Sequence, residues 1–358
     1  MQYKIELEIE LNNRLKDIIK KLPYICSDFF ISIAQTTSIK TRLGYAYDLR
    51  LFFDFLCENV KSFRDKNILD IESSDLENVT YKDIDRFLDY VSYHTREITT
   101  KSGKTLHANH INKESAKSRK LSAIRRLFSY LFKVGEIKSN PAELIDTPKI
   151  HQKNIIYLDK DEINILLNAV ETGTKLTKNQ QSYHNYTKTR DFAIICLLLG
   201  TGMRVSECVG INIDDIDFYT KGIKIIRKGG NESIIYFGDE VYDALNNYLD
   251  EREEIDALDG HKDALFLSMQ KRRITPRTVQ NLVKKYAKIA TPLKNISPHK
   301  LRSTYGTALY EKTEDIYLVA DALGHSDINT TKKHYVKLKE ERRKQAALVT
   351  KLRDNTNE

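Results

Sequence analysis

Six residues of this chain have the types and the order needed to break and remake a phosphodiester bond: Arg204, Lys228, His299, Arg302, His325 and Tyr335. Run without metal or water, that reaction needs a nucleophilic hydroxyl, a clamp for developing negative charge and a proton donor for the leaving oxygen. Tyr335 offers the hydroxyl. Arg204 and Arg302 offer two planar forks suited to non-bridging phosphate oxygens, a geometry that lysine does not match. Lys228, in a hairpin turn, is a positioned proton donor. His299 and His325 titrate near neutrality and can share proton transfer or hydrogen-bond the phosphate.

Each piece alone has a plainer role. Arg204, in GTGMRVSE, can pair with nearby Glu207, and a hairpin lysine is ordinarily solubilising. The His299-x-x-Arg302 pair in SPHKLRSTYGT puts both residues on one helical face, but this spacing recurs by chance. A tyrosine in a context such as ALGHSDINTTKKHYV is usually a packing residue, as are most of the 20 tyrosines here. The set, rather than any member, points to phosphoryl transfer.

In order and neighbourhood the set resembles the tyrosine recombinases, or phage integrase family. Shared features are Arg in a TGxRxSE context, Lys on a β-hairpin, HxLR, GH and a following Tyr. The resemblance covers roughly residues 30 to 345. It implies that Tyr335 attacks the scissile phosphate, giving a 3′-phosphotyrosyl link and a free 5′-hydroxyl. Arg204, Arg302, His299 and His325 would hold the phosphate, and Lys228 would protonate the leaving oxygen. It also implies a homotetramer on two duplex DNA sites with paired inverted binding sequences, a Holliday junction, no cofactor and no metal. An accessory protein or DNA translocase is a further candidate partner. One feature departs from the family: its GH histidine and tyrosine are usually nine residues apart, whereas His325 and Tyr335 are ten apart. That shifts helical phase by about 100°. Length, the RKGG turn and the polar TKNQQSYHNYTKTRD stretch look most like the single-recombinase Xer enzymes, which resolve chromosome dimers.

The elements that must position these residues follow from periodicity. In SIKTRLGYAYDLRLFFDFL, Tyr45, Leu49, Phe52, Phe53 and Leu56 share one helical face. Thr80 and Asp83 form a capping pair before YKDIDRFLDYVSYH, and TTKSGKTLHANH reads as a polar loop. A helix from about Ser115 to Val134 buries Leu121, Ile124, Leu127, Phe128 and Leu131, with Gly135 as its C-cap. Its other faces carry Lys117, Arg119, Lys120, Arg125 and Arg126, either a solvated face or candidate phosphate contacts. Around Thr147–Tyr157 the periodicity fails.

Beyond that point Asp159 and Glu162 open a helix, a polar stretch runs from Thr172 to Thr189, and an apolar helix ends at Gly200. Residues 222–237 read as a β-hairpin, Ala264–Ser268 as a possible third strand, and the chain past Thr275 as helical to near Arg353. The expected fold is mainly α with a small antiparallel sheet. An N-terminal helical core-binding domain (1–147) and a linker (148–157) precede an α+β catalytic domain (158–358). By the family resemblance, the two domains form a clamp on DNA and 338–358 docks on a neighbouring protomer.

Composition sets the frame. At 358 residues, with 41% hydrophobic and 30% charged residues, the chain suits two globular domains and no disordered or membrane class. No secretory leader is visible, and a cytoplasmic setting is expected from four scattered cysteines without CxxC spacing. Nine histidines form no HExxH motif, and the net charge of +8 favours a polyanionic partner. Three functional readings follow: a site-specific recombinase, either of chromosome dimers or of a mobile element; a type IB topoisomerase-like enzyme; and a DNA-binding protein without catalysis.

Overall fold

In the computed structural model, residues 2–99, 105–149, 155–227, 230–325, 327–329 and 331–332 are described. The chain divides into two compact units, Met1–Gln152 and Lys153–Glu358.

The first unit contains α1 (Gln2–Ile19), α2 (Ile25–Ser32), α3 (Ile39–Asn59), α4 (Ser73–Leu76), α5 (Tyr81–Tyr90), β1 (Tyr93–Thr99), β2 (Thr105–Ile111) and α6 (Glu114–Lys133). Local chemistry sets their ends. The Ser38 hydroxyl accepts from the Thr41 N–H at the start of α3, and Thr80 and Asp83 cap one another reciprocally at the start of α5. Gly135, at φ +80°, follows α6 in the left-handed region. Along α3 the helical period delivers Leu49, Phe52, Phe53 and Leu56 to a fully buried core. There Phe52 meets Phe87 of α5 and Phe128 of α6 edge-on, at 5.1 and 6.4 Å.

Of the stretch expected as a polar loop at TTKSGKTLHANH, Thr99 and Thr105–His110 pair instead in two antiparallel strands, with register running from Tyr93↔Ile111 to Thr99↔Thr105. Backbone pairing needs no apolar composition. Strand-favouring Thr95, Ile98, Thr99, Thr105 and Ile111 on either side of Gly103 were outweighed in the sequence by their polar neighbours.

The second unit contains α7 (Lys160–Thr172), α8 (Lys178–Thr201), α9 (Val205–Cys208), β3 (Ile216–Asp217), β4 (Gly222–Ile226) and β5 (Glu232–Tyr236). After these come α10 (Asp239–Glu253), α11 (Pro276–Ala290), α12 (Pro298–Thr313) and α13 (Ile316–Leu323). Strands β3, β4 and β5 form one antiparallel sheet in that order. The expected hairpin is therefore present. The third strand, however, is Ile216–Asp217 rather than Ala264–Ser268, which makes only isolated bridges. Ala264, Leu265, Phe266 and Leu267 are buried, so their apolar run reports core packing without strand pairing.

A second correction concerns α8. The polar stretch before Asp191 is its N-terminal half, opened by a Thr177–Gln180 capping box. In that half the buried His184, Thr187 and Asp191 make hydrogen bonds where an apolar face would make apolar contacts. The Asp191 carboxylate accepts from Thr187 Oγ1 at 3.2 Å, Lys285 Nζ at 3.2 Å and the Tyr286 hydroxyl at 3.1 Å. His184 Nδ1 lies 3.2 Å from that same hydroxyl. A helix closed by such a network leaves no 3.6-residue apolar signal. The expected helix past Lys332, including 338–358, lies outside the described residues.

Candidate functional site

The site is built where three helix ends meet. Helix α8 stops at Gly202, whose φ of +62° and whose contact with the Tyr305 ring (a Cβ would lie 2.4 Å from it) both exclude a side chain. Two residues on, Arg204 is the N-cap of α9. The Glu207 carboxylate accepts from the Arg204 backbone N–H at 2.7 Å and from its Nη1 at 2.8 Å. Glu207 is buried, so this carboxylate fixes where the guanidinium sits. Arg204 Nη2 then reaches the carbonyl of Gly324, 120 positions along the chain, at 3.1 Å. The plain pairing with Glu207 and the longer reach are both made by one side chain.

Arg302 lies one turn into α12 and is 6% exposed. Its Nη1 donates to the Gly202 carbonyl at 2.7 Å, and its Nη2 to the Leu323 carbonyl. It thereby ties the end of α8 to the end of α13. Gly324, at φ +59°, caps α13, and the His325 N–H returns to the Ala320 carbonyl at 2.9 Å. The imidazole Nδ1 lies 2.8 Å from Oγ1 of Thr331, which is fully buried. Arg204, Arg302 and His325 are thus brought together around Leu323–His325. His299 is exposed, one turn before Arg302 on the same helix. Lys228 and Tyr335 lie outside the described residues. Arg227, which precedes Lys228, packs on Gly324.

Sequence reasoning missed Arg227, Thr331 and Tyr305. Arg227 stood in the RKGG turn and Thr331 in the GH segment, so their neighbourhoods were visible. Their contacts depend on folding, and nothing local marks them.

The α6 cations are placed differently from a uniform phosphate-binding face. Arg119 pairs with Asp48 of α3 and donates to the Gly44 carbonyl at 3.3 Å, while Lys120, buried, lies 3.8 Å from the same carboxylate. Lys117 bonds Ser92 at 3.1 Å. Arg125 holds the exit of the unit through the Ala142 and Ile145 carbonyls and Thr147. Arg126 is exposed and bonds no described residue. Burial pushes the Asp48 carboxyl up and the Lys120 ammonium down, against the attraction between them. Asp48→Ala is expected to lower stability by about 3 kcal/mol, because Lys120 is left charged and buried alone. A urea titration showing less than about 1 kcal/mol would count against that account.

Comparison with known proteins places this arrangement. Residues 157–342 match the phage integrase family. The chain belongs to that family, the tyrosine recombinases. It is 34% identical over 319 residues to tyrosine recombinase XerC of Caldanaerobacter subterraneus subsp. tengcongensis, covering 87% of this chain and 82% of the relative. With XerC of Staphylococcus aureus strain JH9 it shares 31% over 291 residues, covering 80% and 88%. The recombinase also shares its fold with XerH in a post-cleavage complex with palindromic difH DNA. That likeness has a TM-score of 0.64 at 20% identity, over 96% of this chain and 95% of the other. The chain is a site-specific tyrosine recombinase, an enzyme that cuts and rejoins DNA.

Proposed function

We propose that the recombinase exchanges strands between two duplex sites through a covalent link from Tyr335 to a DNA 3′-phosphate. The observation that carries the reading is the convergence of Arg204, Arg302 and His325 on one turn. A phosphate held there meets donors already aimed and needing little reorganisation. A guanidinium has five N–H donors, more than Arg204 uses on Glu207 and Gly324.

In this reading the Tyr335 hydroxyl gives its proton to one of the site histidines, His299 or His325, as it attacks phosphorus, the bond to the 5′-oxygen breaks, and Lys228 gives that oxygen its proton. Arg204, Arg302, His299 and His325 bear the charge of the five-coordinate transition state. The freed 5′-hydroxyl of a partner strand then attacks the phosphotyrosine and displaces Tyr335. Bond energy is conserved, so no nucleotide cofactor takes part. Four protomers on paired inverted sites carry the exchange through a Holliday junction, and both units take part in holding the duplex. On α6, Arg126 is the cation best placed for phosphate, because its neighbours are engaged within the unit. In this reading the recombinase resolves chromosome dimers in the cytoplasm rather than integrating a mobile element, and its likeness to recombinases named XerC favours the Xer role.

The test is covalent capture. Host genomic DNA, nicked at random and incubated with the full chain, should yield protein-linked fragments from one chromosomal locus containing an inverted repeat. Fragments from the ends of a mobile element would favour the integrase alternative. No linked DNA at all would overturn the cleavage reading, and relaxation of site-free supercoiled plasmid would favour the topoisomerase.

A further inference from the structure

Two arginines were expected at the phosphate site, and the structure brings a third to the same turn. Arg227 ends the described part of the β4 side of the hairpin, immediately before Lys228. Its backbone is fixed by the turn: its N–H donates to the Asn231 carbonyl at 2.8 Å, and its carbonyl accepts from the Gly230 N–H at 3.2 Å. Its guanidinium packs against Gly324. A methyl group on Gly324 would come within 1.8 Å of Nη1 and 2.4 Å of Cζ. Gly324 is also the residue whose carbonyl accepts from Arg204, and the preceding carbonyl accepts from Arg302. Three guanidinium groups therefore bear on two consecutive residues.

Their counter-charge is incomplete. Glu207 neutralises Arg204. Arg227 forms no ion pair with a described residue, and its Nε is buried without a hydrogen-bond partner. Like charges gathered in a partly desolvated place repel one another, and the unmade bond at Nε adds to the cost. A bound anion at this turn relieves the repulsion. The gain grows as a phosphate in that place takes on charge toward its transition state.

We propose that Arg227 is a catalytic residue of this recombinase: a third phosphate-binding arginine, delivered to the scissile phosphate by the hairpin that also carries Lys228. The proposal rests on the strand-cleavage reading above. It contrasts with a packing role, in which the side chain merely seats the hairpin on Gly324.

Charge and packing separate by substitution. Arg227→Met and Arg227→Gln keep length and apolar contact but lose the charge, whereas Arg227→Lys keeps the charge. The probe is a synthetic nicked duplex of the sequence recovered by covalent capture. The readout is the rate of protein–DNA adduct formation at saturating DNA, with the half-saturating DNA concentration measured beside it. Met and Gln are expected to slow the adduct by about 10²-fold, with half-saturation moving less than about threefold, and Lys to recover at least about tenfold. Wild-type rates in Met and Gln would overturn the proposal, as would a Lys variant no faster than Met. If the unaltered chain forms no adduct, the cleavage reading itself fails, and that result is distinct from the other two.

Discussion

Arg302→Lys is expected to abolish detectable strand cleavage and to destabilise the second unit by about 2 kcal/mol. Both effects come from the same two bonds. Arg302 is buried and spans from the Gly202 carbonyl at 2.7 Å to the Leu323 carbonyl, with one guanidinium nitrogen on each. A lysine ammonium is a single point and satisfies one of these carbonyls at a time, leaving a buried acceptor unpaired. The ends of α8 and α13 would then lose their tie, and with it the placement of Arg204 and His325 relative to each other. Removing one preorganised donor from a charge-stabilising site lowers rates by about 10²–10³-fold. Here the same change also displaces two further donors, so the loss should exceed that. Thermal unfolding and adduct formation on the nicked duplex, both measured below the variant's Tm, separate the two effects. A variant that cleaves within about tenfold of wild type would show that Arg302 is a staple of the fold and little more. Arg204→Ala is the useful companion, because its guanidinium is only half-buried and ties no second helix end through a buried pair of carbonyls.

What could be read from sequence depended on whether the governing interaction was local. Helices α3, α5 and α7 announced themselves because capping side chains sit within three residues of the groups they cap, and α6 because an apolar face repeats every turn. The N-terminal half of α8 did not, since its buried His184 and Asp191 find Tyr286 and Lys285 roughly a hundred positions away. The first strand pair was hidden for a related reason: strand pairing is a backbone property, and polar side chains in Tyr93–Ile111 masked it. The chemistry showed the opposite balance. Residue types and order were enough to nominate the phosphate-binding set, because few other reactions want two arginines, two histidines, a lysine and a tyrosine together. Position was not legible. That Arg204 meets Gly324 across 120 residues, or that Arg302 meets Gly202 across 100, is decided by how helix ends pack. The α6 cations show the limit most sharply. Their charge is plain in the sequence, but buried Asp48, which claims two of them, lies on another helix.

Tyr335→Phe should remove the covalent adduct outright, by more than about 10⁴-fold, while leaving DNA affinity within about twofold. The substitution deletes one oxygen and keeps the ring, so packing is preserved and only the nucleophile is lost. The ten-residue interval from His325 makes the identity of that nucleophile a real question. His325 is held at 2.8 Å by Thr331, and the Lys332 ammonium stands 6.0 Å from the centre of the Tyr317 ring. Tyr317 is thus a described tyrosine beside this segment, 65% exposed on α13. It precedes the GH pair, and the Asp315 side chain caps its backbone at the helix start. Tyr317→Phe is therefore expected to form adduct at the wild-type rate. Mass spectrometry of the protease-digested adduct should place the nucleotide on the peptide containing residue 335. An adduct that survives Tyr335→Phe and vanishes in Tyr317→Phe would reverse the assignment. The extra residue would then mark a rebuilt site, whereas loss in Tyr335→Phe alone keeps Tyr335 as the nucleophile despite the added phase of about 100°.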